Sequence, residues 1–216
     1  VKRGFYVNYG KRIFDLGVAG IALVLFSPLM LITAVLIRVK LGKPVLFRQQ
    51  RPGKEARPFF MIKFRSMTDA RNKDGNLLSD AERLTPFGCF LRSASLDELP
   101  ELLNVLRGDM SLVGPRPLVM SYLQRYNSHQ MRRHEALPGI TGWAQVNGRN
   151  TISWEQRFDY DVWYVDHCSL PLDLKVLCLT MLKVINRADI NEAGQATQSE
   201  FMGTPPDSTP EMGQVP

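Results

Sequence analysis

The sequence predicts an α+β fold: a mostly helical single domain with a small β hairpin, mounted on a re-entrant N-terminal membrane helix and on interfacial amphipathic helices. Three observations predict it. Leu16 to Ile37 is a run of 22 residues without a charge, with Ser27-Pro28 at its centre. Two segments of strand character flank a Pro52-Gly53 turn signal. Downstream, the apolar residues recur mainly at helical spacing. The chain divides into residues 1–40, the membrane helix with basic flanks; 41–202, the globular domain; and 203–216, a Pro-rich tail expected to be disordered.

As one helix, the uncharged run would span about 33 Å, close to the hydrocarbon thickness of a bilayer. It is too long for a signal-peptide core and for most buried helices. A spanning helix and a re-entrant one remain. Pro28 would free the carbonyl of Val24, and Ser27 can offer its hydroxyl to the loosened backbone. Lys2, Arg3, Lys11 and Arg12 precede the run, and Arg38, Lys40, Lys43, Arg48 and Arg51 follow it. A span would carry one basic cluster across the membrane, against the positive-inside tendency. A helix broken at Ser27-Pro28 dips in and returns, leaving both clusters beside anionic headgroups, and this is the favoured reading.

Val45 to Gln50 and Phe59 to Phe64 read as the hairpin, half-exposed, with Phe60, Ile62 and Phe64 alternating with Met61, Lys63 and Arg65. Asp69 to Pro86 reads as a polar surface loop with a short helix. Leu99, Leu103 and Leu106 mark one face of a helix that Gly108 ends. Tyr122 to Ala136 reads as a basic helix stopped by Pro138-Gly139. Leu174, Leu177, Met181 and Val184 form an apolar stripe opposite Asp173, Thr180, Lys183 and Arg187. That stripe faces either a core or a membrane surface.

Lysine and arginine total 27 against 21 acidic residues, a net charge of +6. The excess predicts an anionic partner: nucleic acid, anionic lipid or a phosphorylated substrate. The arginines and aromatics allow a nucleic-acid-binding module, but the uncharged run and the lack of a helix-turn-helix, RRM or zinc pattern oppose it, and no nucleic-acid partner is expected. Three cysteines match no zinc spacing or disulfide framework and predict a reducing compartment. His129, His134 and His167 match no metal-ligand pattern and are assigned to surface or packing roles.

The chemistry concentrates in "FLRSASLDELPELLNVLRGDMSLVGPRP", Phe90 to Pro117. Ser95 to Glu98 fits a capping box, with Glu98 reaching back to Ser95. Pro100 complicates that fit, and the helix would then begin at Asp97 itself. Phosphate-binding residue types surround the pair. Arg92 lies five residues upstream of Asp97. Arg116 sits between Pro115 and Pro117 in a stiff "GPRP" loop, and Asn147 and Arg149 lie in the Gly-rich "GITGWAQVNGRN". Arginine forks match phosphate oxygens, and glycine backbone can approach a diphosphate closely. Asp109 reads as a helix-end turn residue.

These strings resemble the monotopic phosphoglycosyl transferases, the bacterial sugar transferase family, and among them the small PglC-type members. The matching stretches are "KRIFDLGVAGIALVLFSPLMLITA", "RPG" with "FMIKFRSM", the Phe90–Pro117 string, "LPGITGWAQVNGRN" and "GQATQSEF". They run from about Lys11 to Phe201, and only the Pro-rich end after Gly203 departs from the pattern. The resemblance implies transfer of sugar-1-phosphate from a UDP-sugar to polyprenol (undecaprenyl) phosphate, with UMP released. It places the chain at the cytoplasmic face of the bacterial inner membrane, in the first membrane step of glycoconjugate synthesis. It implies Asp97 as a nucleophile that becomes covalently phosphorylated, Glu98 as its partner, Mg2+ as cofactor with Asp97 at the metal, and Ser27-Pro28 as the re-entrant break. Glu98 would activate the acceptor, hold the metal or orient Asp97. The sugar expected is an N-acetylated amino sugar, with glucose or galactose as alternative. A membrane-anchored scaffold without catalysis is the rival class, and a homodimer is allowed.

Overall fold

A computed structural model describes residues 4–148, 152–185 and 200–204. Lys2, Arg3, Arg149 and the tail beyond Thr204 lie outside them. A π-helical turn, Tyr6–Gly10, leads into α1, Lys11–Lys40. The hairpin follows, β1 Leu46–Pro52 antiparallel to β2 Pro58–Phe64, with Leu46 opposite Phe64 and Pro52 opposite Pro58. Then come α2 Asp80–Arg83, α3 Pro86–Ser93, a 3-10 turn at Leu96–Glu98, and α4 Glu101–Arg107. The chain ends with β3 Ser111–Val113, α5 Ser128–Met131, β4 Gly139–Thr141, α6 Trp143–Asn147, α7 Trp154–His167 and α8 Leu170–Ile185.

The helix α1 is long and apolar enough to cross a membrane, yet both of its halves dock on the same domain. Ala19, with Phe14, Val18 and Leu23, packs in the cluster that holds Phe59 and Met61 of β2. Ile37, with Met30 and Ala34, packs in the cluster that holds Phe64 of the same strand. Between these contacts Val24, Leu25 and Phe26 face outward, and so do Ile21, Leu31, Ile32 and Val35. Each such side chain is worth about 1.5–3 kcal/mol when removed from water, so this face requires an apolar environment.

The expected break at Ser27-Pro28 is not an interruption, because α1 is helical throughout. Pro28 cannot donate to the carbonyl of Val24, and Ser27 Oγ donates to that oxygen at 2.8 Å instead. The pair therefore removes one backbone bond and supplies its substitute.

The basic flank before the run also differs from expectation. Lys11 is buried and donates to Asp173 on α8 at 2.6 Å, instead of facing headgroups. Arg12 donates to the Val105 and Leu106 carbonyls at the end of α4, a favourable place for a cation. Asp173 also accepts from Tyr6 and Tyr164, and Asp15 accepts from the Leu112 N–H. The base of α1 is thus joined to α8, α7 and β3.

In α8, Asp173 and Val176 are fully buried, while Leu174 and Met181 are 46% and 65% exposed. The stripe is therefore split: Leu174 and Met181 face outward, while Leu177 packs against the core cluster. The buried line instead runs through Asp173, whose charge Lys11 matches. The expected helix over Tyr122–Ala136 is three pieces: a 3-10 turn Met120–Arg125, α5, and a 3-10 turn Arg132–Glu135. Asn127 caps α5 by accepting from the Gln130 N–H, so the chain restarts there.

The parallel pair β3–β4 has no hairpin or alternation signal and was not foreseen. It brings "GPRP" beside "GITG". The glycines serve backbone packing here: a Cβ on Gly139 would lie 2.1 Å from the Gly114 nitrogen, and one on Gly142 2.2 Å from its oxygen.

Ser27→Ala is expected to destabilise the protein in detergent by about 1 kcal/mol, seen as a thermal midpoint lowered by a few degrees. In a Pro28→Ala background, where residue 28 regains its N–H, the same change should cost almost nothing. Equal losses in both backgrounds would contradict the compensation.

Candidate active site

Three elements converge on Glu98. Strand β2 supplies Lys63, the 3-10 turn supplies Asp97 and Glu98, and the loop after β3 supplies Arg116. Lys63 Nζ and Arg116 Nη2 both donate to Glu98 Oε1 at 2.8 Å. Lys63 also lies 3.0 Å from Glu101 Oε1, an ion pair off the hydrogen-bond direction.

Local sequence explains these placements. Asn104 of α4 accepts from the Ile62 N–H at 3.0 Å and donates to the Phe60 carbonyl at 2.8 Å. It thereby satisfies the edge of β2 that β1 leaves open and sets Lys63 against the first turn of α4. The predicted capping box is absent. Ser95 adopts φ 53°, ψ 22° and makes no side-chain cap, Glu98 turns toward the two cations, and α4 begins only after Pro100. A left-handed serine costs about 1–2 kcal/mol. It directs Asp97 and Glu98 to different surroundings. The α4 C-terminus is as expected, with Gly108 at φ 93°, and Asp109 accepts from Asn104 there.

Asp97 is 8% exposed, and among the described residues its carboxylate makes no hydrogen bond or ion pair. Lys63, Arg116 and Arg92 act on it by charge alone. Arg92, on the last turn of α3, donates to Ser66 Oγ at 3.0 Å. Burial pushes the Asp97 carboxyl up to about 6; the Glu98 charge adds to the rise, and the three cations oppose it. For Glu98 burial acts in the same direction, but Arg116 and Lys63 outweigh it and hold the carboxylate well below the usual range. Glu101 is raised to about 7 by burial, against the pull of Lys63. Near neutrality the site therefore holds Glu98 ionised with both cations on one oxygen, Asp97 largely ionised without a protein bond, and Glu101 partly protonated.

Pro115 and Pro117 are buried and bracket Arg116. Gly114 donates its N–H to the Thr141 carbonyl, and Gly139 donates to the Pro115 carbonyl, so the loop is held by β4. Asn147, the end of α6, donates its amide to the Trp143 carbonyl in its own helix at 2.8 Å, and is not brought to the Asp97-Glu98 pair. Arg149 lies outside the described residues. Lys63 and Glu101 were missed by the sequence reading. The available signal was a lysine between apolar residues on a strand whose neighbours are largely buried.

The histidines are in surface or packing roles, His134 buried and His129 and His167 exposed. His134 meets the Gly53 carbonyl, His167 stacks on Trp163, and His129 meets Asp159. No group of three or more His, Cys, Asp or Glu residues among the described ones could hold a metal. Were a magnesium ion bound here, Asp97, which has no protein partner, and Glu98 would be the residues to hold it, with substrate phosphates and water completing its shell.

Carbon-13 NMR of the side-chain carboxyls should show Asp97 titrating near pH 6 and Glu98 remaining ionised well below it. Lys63→Met removes a cation that favours the Asp97 anion, so its titration should move to higher pH. A midpoint for Asp97 near 4 in both proteins would contradict this electrostatic description.

Residues 6–187 match the family described as bacterial sugar transferase. A Bacillus subtilis (strain 168) protein, Uncharacterized sugar transferase EpsL, is 55% identical over 194 residues, covering 90% of this chain and 96% of its own length. The UDP-glucose:undecaprenyl-phosphate glucose-1-phosphate transferase of Xanthomonas campestris pv. campestris is 42% identical over 199 residues, 87% of this chain and 41% of that protein. The UDP-N-acetylgalactosamine-undecaprenyl-phosphate N-acetylgalactosaminephosphotransferase of Aeromonas hydrophila is 40% identical over 183 residues, 81% of this chain and 43% of that protein. The chain spans about two fifths of the length of these two transferases. The match over residues 6–187 covers α1, the dyad turn and the Arg116 loop alike, and the chain belongs to the bacterial sugar transferase family.

Proposed function

We propose that the chain is a phosphoglycosyl transferase that moves sugar-1-phosphate from a UDP-sugar to undecaprenyl phosphate. The observation that carries this reading is the buried Asp97 carboxylate, ionised near neutrality, unbonded, and ringed by Lys63, Arg92 and Arg116. Burying an unpaired charge is costly, and leaving this carboxylate without a protein bond keeps it open to a substrate. This also argues against a scaffold without catalysis.

Asp97 attacks the sugar-bearing phosphorus, forming a new P–O bond as the bond to the UMP oxygen breaks, and UMP leaves as the anion. A phosphate oxygen of undecaprenyl phosphate then attacks the same phosphorus, and Asp97 departs as carboxylate. Splitting the transfer avoids bringing two anionic substrates together without a mediator. Arg116 and Arg92 offset charge on the phosphates, and Lys63 shares that task while fixing Glu98. With Glu98 bonded on both sides, orienting this cation pair is the role its geometry favours. Mg2+, which Asp97 and Glu98 would help to hold, supplies charge neutralisation on the diphosphate.

The docking of both halves of α1 on one domain supports a re-entrant placement, because a span would carry one half away from that domain. The outward apolar residues of α1 and α8 support a membrane interface. The cytoplasmic face is the one where UDP-sugars are met. The Aeromonas relative favours an N-acetylated amino sugar and the Xanthomonas relative a glucose, so a substrate panel must contain both.

UMP release measured across UDP-sugars with undecaprenyl phosphate and magnesium tests the reading. Asp97→Asn should lower turnover at least about a thousandfold while the protein still sediments with membranes. Substantial turnover by the purified variant, or no UMP from any UDP-sugar with the unaltered protein, would refute the assignment.

A further inference from the structure

The basic segment Arg132–Glu135 contains the largest fully buried side chain among the described residues, and the proposed chemistry does not use it. Arg133 is 2% exposed. Its Nε and Nη2 donate to Asp161 Oδ2 of α7 at 3.0 and 2.6 Å, an ion pair with both side chains almost fully buried. The same Nη2 donates to the main-chain carbonyl of Arg116 at 2.7 Å. Tyr126 and Phe158 lie against the guanidinium, at 5.8 and 5.6 Å from their ring centres.

A buried ion pair is a poor device for stability alone, because apolar residues of similar size commonly serve as well. What apolar residues cannot do is hold a carbonyl. Gly114 and Pro115 are tied to β4 through Thr141 and Gly139, but the Arg116 carbonyl points the other way and is met by Arg133. A small cavity lined by Pro52, Pro115, Arg116, Pro117, Arg133 and His134 adjoins the loop, so the loop is not packed solidly on that side. The side chain of Arg116 reaches Glu98 from this fixed point.

We propose that Arg133 and Asp161 are positioning residues for Arg116: they fix the backbone from which its guanidinium meets Glu98 and the substrate phosphates. Asp161 orients the guanidinium fork, and the fork locks the loop. The proposal rests on the transferase reading for its kinetic consequence and on geometry for the coupling itself.

The test uses the full chain in detergent with a UDP-sugar that the unaltered protein turns over. Arg133→Lys keeps the charge and loses the fork; Asp161→Glu keeps the pair and moves it. Each should lower kcat about ten- to hundredfold, the scale of a misplacement near 1 Å, with thermal midpoints within a few degrees of the original. In an Arg116→Ala background, Arg133→Lys should have almost no further effect on kcat, because it acts through the residue already removed. A lower midpoint with kcat unchanged, or equal kcat losses in both backgrounds, would overturn the positioning role and leave a structural pair. Absence of UMP release from the unaltered protein would fault the transferase reading alone. The Arg116 side-chain Nε–H resonance then reads the coupling: Arg133→Lys should shift it, and an unshifted resonance would overturn the proposal.

Discussion

One oxygen atom, Glu98 Oε1, accepts from Lys63 of β2 and from Arg116 of the loop after β3. The hairpin, the dyad turn and the β3–β4 pair meet at that atom. With Glu98 satisfied, the site's remaining positive charge has no protein partner at Asp97 and acts on it only through space. A buried carboxylate can stay ionised near neutrality on those terms, but its charge is not spent on a protein bond. The arrangement keeps the proposed nucleophile available at some cost in stability, as functional sites commonly do.

That constraint explains why the scaffold invests so much in backbone fixation. Asn104 closes the free edge of β2 and so determines where Lys63 can lie. The glycines of β4 and its flanks let two main chains approach at distances no side chain would allow, which brings the Arg116 loop to β4. Ser95 accepts an unfavourable backbone conformation so that adjacent carboxylates face different partners. Each of these features lies outside the chemistry and is needed for it.

The anchor is built on the same logic of matched burial. Lys11 and Asp173 are charged residues at two apolar helices, and each is tolerable only because the other is 2.6 Å away. Tyr6 donates to the same Asp173 oxygen as Lys11 and Tyr164 to the other, and Asp15 holds β3, the strand that leads to Arg116. The membrane helix is therefore continuous with the loop that carries the site, and the orientation of α1 is transmitted to the level of the dyad through packed, hydrogen-bonded elements.

Much of this was legible in the sequence because it is local. The uncharged run, the hairpin turn at Pro52-Gly53, the Gly108 cap and the adjacency of Asp97 and Glu98 depend on residue order and short-range sterics. The compensation of Pro28 by Ser27 is likewise a matter of neighbouring residues. Other features depend on partners far along the chain. Residues 63 and 98 are separated by 35 positions, 116 and 133 by 17, and 11 and 173 by 162. No periodicity encodes such a meeting. For that reason a capping box was the natural local reading of Ser95–Glu98, and the outward face of α8 could not be told from an inward one. Which cation neutralises which carboxylate is decided by long-range packing, and that choice leaves Glu98 bound and Asp97 unbonded.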